Sequence, residues 1–95
     1  MVVKIVKVLP TNSREYTDRQ GQKQVFKSKG FILNAGEGNI YAEAVQETCT
    51  SLENLDIHEG DCAFVQLQFN ARDYKTSSGD IRTANEVTIR QMLMI

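Results

Sequence analysis

The sequence has few of the residues that build metal centres or catalytic sites. Its 95 residues include two cysteines, Cys49 and Cys62, a single histidine, His58, and no tryptophan. A structural zinc site needs about four clustered cysteine or histidine ligands, so no metal and no other cofactor is expected. Two reduced cysteines that pack as small apolar groups are the simpler expectation. The absence of a nucleophile motif and of a glycine-rich phosphate loop favours a binding protein over an enzyme.

Long apolar stretches are also missing. No run approaches the roughly 20 residues that cross a bilayer, and Lys4 and Lys7 interrupt the apolar N-terminus, unlike the core of a signal peptide. We therefore expect a soluble, cytoplasmic protein. With 41% hydrophobic and 24% charged residues, the composition is that of a folded protein, and the length predicts one domain over residues 1–95.

Positive charge is missing from the middle of the chain. Residues 31–61 hold seven acidic residues and no lysine or arginine, whereas residues 1–30 hold seven lysines and arginines against two acidic residues. The net charge of the whole chain is −1. If the first and last segments pair in space, one face of the fold is basic although the chain is not, as phosphate binding requires. Chance segregation of charges on a solvated surface is the alternative.

Alternating apolar and polar residues predict five strands. The clearest is residues 64–74, and its side chains expected to face the core are Val65, Leu67, Phe69 and Ala71. Weaker strand patterns cover residues 2–9, 22–34, 40–45 and 81–95, so that the apolar end of the chain completes the last strand. Pro10 is expected to end the first strand because proline cannot donate to a strand ladder.

The segments between these strands differ in character. Residues 11–21 are polar and predict a long loop, which either closes on a ligand or lies in solvent. Gly30 predicts a bulge or bend in the second strand. Residues 45–57 have the apolar spacing of a short helix, with Thr48 or Thr50 as its cap. The order is thus three strands, a helix and two strands.

This order predicts an all-β fold, a five-stranded OB-fold barrel with one short helix between strands three and four. A small barrel of the SH3 type is the alternative, although it does not need the helix. The predicted last hairpin carries Arg72-Asp73-Tyr74, then a polar loop with Gly79, then Arg82 and Glu86-Val87.

These residues resemble the last hairpin of the bacterial single-stranded DNA-binding proteins, a family that also includes phage members. The resemblance covers about residues 52–87, and the spacing agrees without a gap from Gly60 to Val87. It implies an OB fold that holds single-stranded DNA during replication, recombination or repair, and a homo-oligomer, because that family pairs its subunits through strand edges. Replication proteins are further possible partners. Tyr74 matches an aromatic position that the family uses for base stacking.

Single-strand binding requires cations beside the phosphates and flat rings beside the bases. The residues that we expect to bind nucleic acid are Arg14, Tyr16, Arg19, Lys23, Phe26, Lys27, Lys29, Arg72, Tyr74, Lys75 and Arg82. Tyr41 is a further exposed ring, and a ring that lies on a neighbouring strand is its simpler interpretation. No catalytic or metal-binding residue is expected.

The sequence departs from the family in three places. The loop at residues 35–39 carries no cation, Glu47 stands near a position where the family has a stacking aromatic, and no glycine-rich, acidic-ended tail follows the last strand. Two alternatives therefore stay open. One is an OB module for protein contact in a primosome, replication or conjugation assembly, with weak DNA affinity. The other is a single-strand RNA binder of the cold-shock kind, although that family's clustered aromatic motifs are missing.

Overall fold

The computed structural model describes all of residues 1–95 and contains five strands and one helix. In chain order they are β1 (Val2–Thr17), β2 (Lys23–Asn34), β3 (Asn39–Val45), α1 (Gln46–Glu53), β4 (Cys62–Lys75) and β5 (Ile81–Met94). The strands close into a barrel in the order β1-β2-β3-β5-β4. This is the predicted OB arrangement, with the helix between the third and fourth strands, and the apolar end of the chain completes β5 as expected.

The barrel core is small and entirely apolar. No polar or charged side chain is buried, and the twelve buried side chains are Val3, Ile5, Phe31, Leu33, Ala42, Ala44, Cys49, Leu52, Ala63, Val65, Ile89 and Met92. Most strand members alternate along the chain because successive side chains of a strand point to opposite faces. Cys49 and Leu52 come from α1, which packs against β2, β3 and β5.

Both hairpins project beyond this core. No side chain is buried at residues 6–29 or 66–88, although the strands remain paired along these stretches. We refer to residues 11–29 as the β1–β2 arm and to residues 68–88 as the β4–β5 arm. Backbone pairing is the main contact that holds these arms in shape, although Val87 of the β4–β5 arm also packs against the core.

Pro10 does not end β1, so the sequence prediction was wrong here. It lies with Leu9 in a bulge where these two residues oppose the single residue Gly30 of β2. Proline is tolerated at a bulge because the hydrogen-bond ladder is already interrupted there. The predicted loop at residues 11–21 is therefore mostly strand, and the connection between β1 and β2 is confined to residues 18–22.

A hydrogen-bonded turn makes this short connection. The Oδ1 atom of Asp18 accepts hydrogen bonds from the backbone N–H groups of Gln20 and Gln22, at 2.9 Å each. Gly21 supplies the left-handed conformation, with φ +77°, which glycine adopts at least cost. The backbone hydrogen bond from Gln22 is the main reason that the pKa of Asp18 lies below its ordinary value.

Phe69 and Ala71 do not reach the core, contrary to the sequence prediction. They alternate correctly with the polar residues, but β4 has already left the barrel beyond Leu67, and Phe69 is 60% exposed. Cys62 was also expected to pack as a small apolar group, yet it is exposed because it lies on the outer side of β4, next to the buried Ala63.

The helix is confirmed, whereas its predicted cap is wrong. α1 begins after Val45, which provides no side-chain capping hydrogen bond. The hydroxyl of Thr50 donates instead to the carbonyl oxygen of Gln46, one turn back along the helix, and Ser51 does the same to Glu47. A hydroxyl inside a helix often binds the carbonyl four residues earlier.

Candidate nucleic-acid interface

A cleft opens on the outer surface of the barrel where β3 meets β5. Its volume is about 640 Å³, and the residues that line this β3–β5 cleft are Phe26, Asn39, Ile40, Tyr41, Glu43, Val45, Asn85, Glu86, Val87 and Thr88. The two strands run parallel here and are paired at one position, Glu43 with Thr88. Phe26 of the β1–β2 arm and residues 85–88 of the β4–β5 arm line it together, so the cleft lies where both arms join the barrel.

The outer face of the β1–β2 arm carries a cation and two rings. Arg14 pairs across the strands with Phe26, and Tyr16 pairs with Gln24, so these side chains share one face. The Arg14 guanidinium carbon lies 5.7 Å from the centre of the Phe26 ring, within the range of a cation–π contact. Phe26 also lines the β3–β5 cleft, so this face leads directly into it.

The expected lysines of β2 lie on the opposite face. Lys23, Lys27 and Lys29 alternate with Phe26 and therefore point towards the side on which the core residues and α1 lie. The Lys27 ammonium lies 3.6 Å from the Glu53 carboxylate of the helix, and Lys29 donates to the Thr11 hydroxyl at 3.5 Å. The structure thus does not bring these lysines together with the rings of their own arm.

Lys27 and Lys29 affect the helix instead. Burial is the main cause that raises the pKa of the Cys49 thiol, with a further contribution from the Glu53 carboxylate, while the two lysines act in the opposite direction. Cys49 therefore remains a neutral core residue. The remaining cation of this region, Arg19, lies in the turn at residues 18–22, at the tip of the arm.

The β4–β5 arm brings its predicted residues to one face. Tyr74 pairs with Arg82, and Arg72 lies two residues earlier on the same side of β4. The Arg72 Nε atom lies 3.0 Å from a carboxylate oxygen of Glu86, which lines the β3–β5 cleft. Tyr74 is 45% exposed. Lys75 is the exception, because it points to the other face of the hairpin.

Tyr41 and Glu43 line the cleft but are not among the residues expected to bind nucleic acid, although Tyr41 was one of the candidate rings. The Tyr41 hydroxyl donates a hydrogen bond to Glu43 at 2.8 Å, and the Tyr41 ring lies over Gly30 of the neighbouring strand, as its simpler interpretation suggested. Burial, followed by the hydrogen bond and charge of Glu43, raises the pKa of Tyr41 above its ordinary value. The sequence indicates this position of the Tyr41 ring only weakly, because the pairing of Tyr41 with a strand that contains a glycine must be known first.

Other kinds of site have less support in the geometry. No group of three or more histidine, cysteine, aspartate or glutamate side chains is placed to hold a metal ion. The single helix, α1, is not long and apolar enough to span a membrane.

Comparison with solved structures supports the fold. The chain is similar to the second OB-fold domain of replication protein A from Methanococcus maripaludis, with a TM-score of 0.57 and 19% sequence identity. The match covers 99% of this chain and 79% of that one. The fold is an OB fold. No protein-family model and no curated protein sequence matches the chain.

Proposed function

We propose that this protein binds single-stranded DNA without requiring a defined sequence. One observation carries the proposal: each arm gathers arginine and aromatic side chains on one face, and that face reaches the β3–β5 cleft through Phe26 on one arm and Glu86 on the other. Arg14 and Tyr16 share the face of Phe26, and Arg72, Tyr74 and Arg82 share the face of Glu86. Rings accept bases of any identity, at roughly 1–3 kcal/mol per stacked base, while arginines contact phosphates.

A net charge of −1 does not oppose this function, because the phosphate chain meets only the local surface. The acidic middle segment supplies the end of β2, β3, α1 and the turn before β4, whereas both arms carry cations. Of its seven carboxylates, only Glu43 lines the cleft. We place the protein in replication, recombination or repair. The resemblance of the last hairpin to bacterial single-stranded DNA-binding proteins supports this, as does the structural neighbour, whose name is that of a replication protein.

We propose that the protein works as a homo-oligomer. Three apolar side chains form a row across neighbouring strands on the outside of the barrel, since Val2 pairs with Phe64 and Phe64 pairs with Leu93. Their exposed fractions are 58%, 49% and 53%. Exposed apolar side chains that lie next to one another are more typical of an interaction surface than apolar side chains that are exposed singly.

Fluorescence anisotropy tests DNA binding directly. Labelled oligo(dT), oligo(rU) and duplex DNA are titrated at two salt concentrations, and we expect salt-sensitive binding that is strongest for oligo(dT). Tyr74→Ala should weaken it by roughly 1–3 kcal/mol. The matched control is Ile81→Ala, which removes a 75% exposed apolar side chain from the other face of the same hairpin end. Equal effects of the two variants would remove Tyr74 from the site.

A protein-contact module is the second candidate function. The row of Val2, Phe64 and Leu93 favours it, because an apolar outer surface suits a protein partner better than a phosphate backbone. This candidate has weak DNA affinity, and an unmodified protein that shows no oligonucleotide binding at low salt would favour it. The anisotropy titration of the unmodified protein therefore decides between the two functions.

A further inference from the structure

The Tyr41–Glu43 pair is held in one position by its surroundings. The Tyr41 ring lies so close to Gly30 that a Cβ atom there would be 2.7 Å from the tyrosine oxygen. The hydroxyl donates to one oxygen of Glu43 at 2.8 Å. Glu43 and Tyr41 lie two residues apart on the same face of β3. The carboxylate is thus oriented before any ligand arrives.

Glu43 differs from the other carboxylate of the β3–β5 cleft. Glu86 is paired with Arg72 at 3.0 Å, whereas no lysine or arginine nitrogen lies within ion-pair distance of Glu43. An unpaired carboxylate repels phosphate and can only accept hydrogen bonds. A nucleic acid in the cleft must therefore turn a hydrogen-bond donor, and not its backbone, towards Glu43.

We propose that Glu43, positioned by Tyr41, accepts a hydrogen bond from the exocyclic amino group of a base, so that cytosine and adenine are preferred over thymine. Cytosine N4 and adenine N6 are donors, and carboxylates recognise such groups. Thymine presents the acceptor O4 in the position of the cytosine amino group, and its one ring donor, N3–H, lies between two carbonyl oxygens that the carboxylate repels. This inference rests on the proposed single-strand binding. It adds a bias in base type and leaves the absence of a defined sequence unchanged.

The test compares oligo(dC) and oligo(dT) of equal length by anisotropy, at mildly alkaline pH, where cytosine stays neutral. The unmodified protein should bind oligo(dC) at least about fivefold more tightly. Glu43→Gln should bring the ratio close to one, because an amide can also donate to thymine O4. Removing a negative charge strengthens binding to every strand, so the ratio of affinities is the readout.

Two further variants sharpen the result. Glu59→Gln removes the same charge from an exposed turn outside the cleft and should leave the ratio unchanged. Tyr41→Phe keeps the ring but removes the hydrogen bond to Glu43, and it should lower the ratio. Binding to oligo(dT) and oligo(dC) with equal affinity, or a ratio that survives Glu43→Gln, would overturn the inference alone. Failure of the unmodified protein to bind any oligonucleotide at low salt would overturn the proposed function and the inference with it.

Discussion

Gly30→Ala is the substitution that tests the centre of this surface most directly. Gly30 is buried beneath the Tyr41 ring, and an added Cβ would lie 2.7 Å from the tyrosine oxygen, 2.8 Å from Cε2 and 3.0 Å from a methyl carbon of Leu9. Contacts this short cannot persist, so the ring must move outwards. That movement breaks the hydrogen bond from Tyr41 to Glu43.

The expected change in the free energy of unfolding is the sum of two destabilising contributions and one stabilising contribution. Overpacking costs about 1–3 kcal/mol, and loss of the hydrogen bond costs about 0.5–1.5 kcal/mol. Alanine restricts the unfolded chain more than glycine does and returns about 0.4–1 kcal/mol. The tyrosine ring can partly rotate away, so we expect a net loss of about 1–2 kcal/mol in the free energy of unfolding. In a domain of this size, each kcal/mol lowers the melting temperature by about 4–8 °C.

Chemical denaturation tests whether the Tyr41 ring is the reason that position 30 requires glycine. The four proteins compared are the unmodified chain, Gly30→Ala, Tyr41→Ala and the double variant. With the ring absent, Gly30→Ala should be neutral or stabilising, because the Leu9 methyl group is the flexible end of a side chain. If Gly30→Ala destabilises equally with and without Tyr41, the ring is not what requires glycine at this position. The fixed geometry of the Tyr41–Glu43 pair would then lose its basis.

Three further outcomes are expected. Arg14→Ala should lower the slope of log K against log salt concentration for oligo(dT) binding by about 0.7. Lys27→Ala removes the same charge from the opposite face and should leave the slope unchanged, and equal effects would contradict this assignment of faces. Phe64→Gln should convert an oligomer into a monomer in light scattering, and a monomeric unmodified protein at high concentration would refute the homo-oligomer. Because the pKa of Asp18 is lowered, its stabilising contribution is present above the unfolded value of 3.8 and is lost as the pH falls through the lower folded value. Asp18→Asn should therefore flatten the loss of stability in acid denaturation, and an unchanged acid profile would contradict the role of the Asp18 turn.

The sequence was sufficient to predict the barrel because its core follows period two. Phe31 and Leu33 are buried as the alternation indicates, and the segment with helical spacing forms α1. Phe69, in contrast, alternates with polar residues and is nevertheless exposed. Alternation identifies a face of a strand, but it does not reveal where that strand leaves the barrel. The length of the arms depends on pairing between distant segments, which a local pattern does not contain.

The candidate site was harder to predict for a related reason. Alternation already places Lys27 and Phe26 on opposite faces of β2. It does not reveal that the Phe26 face leads into the cleft while the Lys27 face meets α1. Pro10 misled the prediction because the bulge that accommodates it depends on Gly30 of the partner strand. The role proposed for Glu43 could not be predicted, because it depends on the contact between the Tyr41 ring of β3 and Gly30 of β2. These two residues are not paired directly, so the sequence does not indicate that they meet.

The single pairing between β3 and β5 has a mechanical consequence. The pair of strands with the fewest paired residues is where a closed barrel opens most easily. Here that pair is β3 and β5, which are paired only at Glu43 and Thr88, and both residues line the β3–β5 cleft. Local opening should begin where the fewest backbone bonds must break. A strand of nucleic acid bound in the cleft would contact both β3 and β5. Its binding would therefore oppose separation of these strands and raise the stability of the whole barrel.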